Sequence, residues 1–171
     1  MQDFRRLAAK NGAAIQDSGP CQFCGAPVEG GAEACLRLLD ELSERTRAEK
    51  SYAQAHLFSV DAHALQHPEL HGRLNNPVHL LSLCLMLERG SSAAAGSRKP
   101  AVEKFLALGR QWPPLEAPPA GYRGILTAKS VLEASAAERA LVAREWAEEV
   151  WQVWQPHHPW TRRMLDRLAH D

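Results

Sequence analysis

The sequence predicts an all-α fold, an antiparallel four-helix-bundle-like core with an N-terminal zinc-knuckle loop, and three observations predict it. Apolar residues recur at helical rather than strand spacing along most of the chain. Cap and stop signals divide it into helical segments whose early connections are short, which favours antiparallel neighbours. The stretch "CQFCGAPVEGGAEAC" places three of the four cysteines within residues 21–35. No alternating run demands a strand, and no repeat of fixed period is present. A chain of 171 residues suits one domain with a sizeable core, so we expect a single helical domain over 1–171, with an N-terminal segment at 1–31 and an irregular connection at 91–135.

Each helix has its own signature. In "EACLRLLDELSERTRAEK", Cys35, Leu38, Leu39 and Leu42 follow i, i+3, i+4, i+7 and form one apolar face. "SYAQAHLFSVDAHALQHP" begins with Ser51 as a cap and ends at Pro68 as a stop. Asn76 and Pro77 serve as cap and first position for "VHLLSLCLMLERG", which is apolar nearly all round and should be the most buried helix, with Gly90 closing it. "SSAAAGSRKP" reads as a flexible connection, "AVEKFLALG" as a short helix, and "QWPPLEAPPAGYRG" as proline-broken chain. Ser135 and Glu138 form a capping-box signature for a long helix with a stripe of Val142, Trp146, Val150 and Val153 or Trp154. Pro156 ends it, and Pro159 opens a last helix through Trp160, Met164, Leu165 and Leu168.

Composition narrows the partners. Twenty basic residues balance twenty acidic ones, so there is no positive field to gather nucleic acid or anionic lipid, and neither nucleic acid nor membrane is expected. No apolar run nears the ~20 residues of a spanning helix, and the N-terminus lacks the apolar core of a secretory signal. A cytoplasmic location follows as the expectation, and there a CxxC pair points to metal or redox chemistry rather than a structural disulfide. Abundant Arg, Ala and Leu are compatible with a bacterial source.

In a CxxCG knuckle the tight turn brings two sulfurs to about 2.3 Å from a shared Zn²⁺. Cys35 is a third sulfur candidate, against the simpler reading of a small apolar core residue. A hairpin of the first two helices sets the start of the first, at Cys35, opposite the end of the second, at His63 and His67. His56 lies about 16 Å from His67 by helical rise and cannot share its ion, and Cys84 lies about 7 Å deeper along the third helix than His79, as a structural residue. The expected zinc site is therefore Cys21, Cys24, Cys35 and His67, with His157, His158, His79 and His63 as alternates for the fourth ligand. His71 reads as a loop surface group, and Asp61 as a satisfied buried hydrogen-bonding group or a surface residue, with orienting a ligand histidine or acting as a base as its functional alternatives.

At "CQFCGA", "VDAHALQHP" and "WQVWQPHHPW" the chain resembles a family of uncharacterised bacterial proteins with a CxxCG start and a VDxxxLQHP helix end. The resemblance implies a shared helical, zinc-containing fold without a named substrate. It also implies Tyr in many relatives at the position of His63, which favours His67 as the ligand. The architecture and the terminal histidine pair more distantly resemble metal-binding bundles related to DinB, in which three histidines at one end hold a metal; that likeness is of fold alone.

The main functional expectation is a structural zinc that pins the N-terminal loop to the bundle, with activity unknown. One alternative is a metal-dependent enzyme, of thiol transferase or hydrolase type, with a His-rich site and a metal-bound water. Another is a redox switch in which Cys21 and Cys24 oxidise and release zinc. A protein partner at the Trp-rich helix or the proline loop, or a homodimer through Trp151 and Trp154, completes the set. With no Walker loop, GxGxxG or GxSxG, nucleotide binding and serine hydrolase chemistry have no support in the sequence.

Overall fold

The computed structural model describes residues 2–71, 75–108, 112, 115–121 and 123–170. Nine α-helices and no strand occur among the described residues. In chain order they are α1 (Gln2–Lys10), α2 (Gly31–Arg45), α3 (Lys50–Gln66), α4 (Pro68–His71), α5 (Asn76–Glu88), α6 (Ser91–Ala107), α7 (Ala128–Glu133), α8 (Arg139–Val153) and α9 (His158–His170), with a 3-10 turn at Gln155–His157.

Their directions follow from hydrogen bonds at their ends. Helices α2 and α3 are antiparallel: Arg45 donates to the Tyr52 hydroxyl at 2.9 Å at one end, and Cys35 meets His67 at the other. Helix α8 runs parallel to α3, since Arg139 reaches Ser51 at 2.8 Å where both begin and Trp154 Nε1 donates to the Leu65 carbonyl at 3.1 Å where both end. Helices α5 and α6 turn back on each other at Gly90, whose φ of +87° glycine adopts at little cost, and Arg98 on α6 bonds Ser82 on α5. Helix α9 closes over this pair, with Arg162 on Glu88 at 2.6 and 2.8 Å and Lys104 on the Leu168 carbonyl at 3.0 Å.

Two buried clusters result. The larger joins Leu42, Tyr52, Leu65, Leu80, Phe105 and the tryptophans of α8. The smaller surrounds the cysteine loop with Ala8, Phe23, Ala26, Ala32 and Leu70. Trp146, Trp151 and Trp154 are all in the larger core, so the interface expected through Trp151 and Trp154 is occupied by the chain's own packing. Replacing Trp154 with Phe keeps an aromatic ring but removes the pyrrole half of a fully buried indole, which opens a cavity and leaves the Leu65 carbonyl without its donor; urea unfolding should show a loss of about 2–4 kcal/mol.

Several expectations need correction. Segment 91–100 is not a connection but the first turns of α6: its alanines favour helix, and packing on α5 outweighs the cost of Pro100 inside it. Within the expected irregular stretch 91–135, α7 also forms, because Thr127 and Ser130 make a reciprocal capping box. Of the four prolines between 111 and 124, Pro113 and Pro114 lie outside the described residues, while Pro118 and Pro119 have no regular structure. The N-terminal segment carries α1, which the sequence did not announce. Pro68 both stops α3 and starts α4, as its fixed φ and missing N–H allow. Caps shift as well: Glu49 rather than Ser51 precedes α3, and Asn75 rather than Asn76 precedes α5.

Candidate metal centre

The knuckle begins as a tight turn. The Gly25 amide donates to the Cys21 carbonyl at 2.7 Å and the Cys21 amide to the Ala26 carbonyl at 2.9 Å, with Gly25 at φ +79°. This points the sulfurs of Cys21 and Cys24 the same way. Gly31 then anchors the loop to the start of α2: its amide donates to the Gly19 carbonyl at 3.0 Å. Its φ is +63°, and a Cβ there would lie 2.4 Å from the Gln16 carbonyl oxygen. Gly31→Ala should therefore cost about 2 kcal/mol or more and weaken metal retention, measured by thermal melts beside metal content.

Cys35 enters from the first turns of α2, and His67 from the end of α3, where the backbone leaves the helix at φ −126°, ψ 50°. His67 Nδ1 lies 2.7 Å from the His63 carbonyl. A carbonyl only accepts, so Nδ1 carries the proton and Nε2 faces the sulfurs, 3.4 Å from both Cys21 Sγ and Cys35 Sγ. Cys24 Sγ and Cys35 Sγ are 3.7 Å apart, and the four donor atoms all lie within 4.8 Å of one another. Ligands at Zn–S and Zn–N bond lengths define a tetrahedron with S–S edges of about 3.8 Å and S–N edges of about 3.6 Å, close to these separations. All four side chains are buried, at 3% exposure or less.

The three sulfurs and the imidazole shift one another's protonation. Hydrogen bonds from Cys24 and Cys35, with His67 adding to them, hold the Cys21 thiol far below its ordinary value. Hydrogen bonds to Cys21 and Cys24, aided by burial, push the Cys35 thiol far above it. Burial opposes protonation of His67, but Cys21 and Cys24 outweigh it and raise its pKa to about 10. A bound divalent ion would take the place of the thiol protons, since the thiolate is the form that ligates a metal.

The Cys3His cluster can hold a metal ion, and none of the alternates joins it. His157 Nε2 bonds the Glu116 carbonyl at 2.8 Å; His158 Nε2 bonds the Trp151 carbonyl at 2.8 Å and stacks on the Trp151 ring at 3.7 Å. His79 Nδ1 donates to Asp61 at 2.8 Å, so Asp61 does orient a histidine. His63 stacks on His67 at 3.9 Å without joining the donor set. Cys84 is buried away from the cluster, 3.6 Å from Glu88, and burial followed by the Glu88 charge raises its thiol to about 12. His71 is no loop surface group: it ends α4 with its Nε2 buried.

The sequence reading also passed over the residues that brace the centre. Arg123 is 2% exposed and forms a bidentate pair with Glu69, at 2.7 and 2.8 Å. The Gly121 amide donates to the Phe23 carbonyl inside the knuckle at 2.9 Å, and the Phe23 ring meets His67 edge-on at 6.1 Å. The only signal for Arg123 was its place after a proline run, where loop residues need a partner for their carbonyls.

Residues 19–155 match a family of unknown function, DUF5946. The chain belongs to that family. The DUF5946 segment contains all four residues of the cluster and stops before His157 and His158. No curated protein and no solved structure matches the chain.

Proposed function

We propose that Cys21, Cys24, Cys35 and His67 hold one Zn²⁺ in a closed, structural site that pins the N-terminal knuckle to the ends of α2 and α3, within a chain that folds as one helical domain. The observation that carries this reading is the donor set itself: three sulfurs and an imidazole nitrogen, buried and spaced like the corners of a zinc tetrahedron. Four protein donors leave no position for water, so the ion contributes folding energy rather than a nucleophile. The His63 carbonyl fixes the tautomer of His67 in the way outer-shell acceptors orient ligand histidines. Burial of all three sulfurs disfavours the redox switch, which needs accessible thiolates. Among the described residues no helix is long and apolar enough to cross a membrane, and we place the protein in the reducing cytoplasm, where free thiols persist.

Metal analysis and zinc-edge X-ray absorption on untagged protein test the proposal. We expect about one zinc in a shell of three sulfurs and one nitrogen. A metal-bound oxygen in that shell, or zinc content unchanged in Cys21→Ser, would overturn it.

A further inference from the structure

One ring away from the thiolate centre lies a second group of imidazoles that nothing in the first site explains. His63 is fully buried, and neither of its ring nitrogens has a hydrogen-bond partner. His71 Nε2 is buried and equally without a partner. The His71 ring stands edge-on to both neighbours, with centroids 6.2 Å from His63 and 5.8 Å from His79. Buried polar atoms are nearly always satisfied, so orphaned nitrogens on adjacent rings mark a missing partner.

The third ring shows what kind of partner. His79 Nδ1 bonds Asp61, which also accepts from Ser82 and lies 3.4 Å from Arg98. In a neutral His79 this puts the proton on Nδ1 and leaves the Nε2 lone pair free, the carboxylate–histidine arrangement that orients metal ligands. Asn76, buried with both amide atoms unpartnered, stands one turn before His79 on the same face of α5.

We propose that His63, His71 and His79 form a second site, for a divalent transition-metal ion, with Asp61 orienting His79. Imidazole donors suit Zn²⁺, Ni²⁺ or Fe²⁺ rather than Ca²⁺ or Mg²⁺. Two imidazoles on one such ion place their centroids about 4.5–5.5 Å apart by the metal–nitrogen bond length. Among the described residues the Cys3His cluster is the set whose donors already lie within 4.8 Å of one another, so these three rings must turn toward a shared ion to bind it, His71 closing on His63 from 6.2 Å and on His79 from 5.8 Å. Three histidines leave positions for water or a substrate, unlike the thiolate site, so chemistry in this protein would belong here.

Titration of untagged, metal-free protein with Co²⁺ tests this, because cobalt reports both sites at once. The wild type should bind two equivalents per chain, one with a thiolate-to-cobalt charge-transfer band and one with nitrogen-and-oxygen ligation only. His71→Ala and His79→Gln should each weaken the second equivalent roughly a hundredfold or more and leave the charge-transfer band intact. A wild type that takes up only one equivalent, and shows the charge-transfer band with it, means that the pocket is merely hydrated, and overturns the proposal whatever the variants do. Two equivalents retained at full affinity in both variants means adventitious surface binding, and overturns it too. Cobalt bound without any charge-transfer band, and lost in the His variants, would sink the thiolate site while supporting this one.

Discussion

Cys24→Ser is expected to release the metal and to cost on the order of 4 kcal/mol, seen as a melting temperature lower by roughly 8–16 °C. The loss should be uneven. The cysteine loop packs into a small cluster of its own, whereas α3, α5 and α8 share the larger core and keep its contacts without the ion. Hydrogen exchange should therefore quicken at the amides of Cys21, Gly25 and Gly31, which close the knuckle and its anchor, and stay slow along α3 and α8. A chelator should reproduce this pattern in the wild type. Acid should do the same, with a definite sign: the Cys21 thiol is held below its unfolded value, so its contribution is present at neutral pH and lost as pH falls and protons displace the ion. Unchanged exchange at Cys21 and Gly25 in a metal-free sample would show that the knuckle holds itself together.

The Cys35–His67 meeting was legible because it needs only one topological fact, that two consecutive helices with a short turn lie antiparallel. The alternates His157 and His158 required a second fact that the sequence does not carry. Helix α8 does run alongside α3 to the same end, but the 3-10 turn swings both imidazoles onto Glu116 and Trp151. The second half of α6 is legible in "AVEKFLALG", but its first half is not, because Gly, Ser and Pro in "SSAAAGSRKP" weigh against helix locally, while α5 offers a surface that makes it worthwhile. His71 was misjudged for a related reason. Reading Pro68 purely as a stop makes the next residues a loop, whereas Pro68 at the head of α4 turns His71 inward between His63 and His79.

Arg123→Met should be the most damaging substitution outside the metal ligands, at about 3–5 kcal/mol, because it strips one partner from a buried, fully hydrogen-bonded charge pair. The guanidinium donates to both Glu69 oxygens, to the Gln66 carbonyl at 3.1 Å, and twice to the Pro118 carbonyl at 2.7 and 2.9 Å. Met fills similar volume but supplies none of these donors. Glu69 is about one-fifth exposed, so water softens its loss and holds the cost toward the lower end of that range. Glu69→Gln should cost less, since an amide oxygen still accepts one bond, and the double variant should cost less than the two single costs combined, because each removes the same pair. The effect should also reach the metal. Gln66 adjoins His67, and Arg123 ties the end of α3 to the proline segment whose Gly121 holds the Phe23 carbonyl of the knuckle. Urea unfolding measures the first effect, and competition with a chromophoric chelator the second. Stability lost with metal affinity unchanged would mean that Arg123 braces the fold but not the centre. Loss of both would show that the clamp holds His67 in place against Cys21 and Cys35.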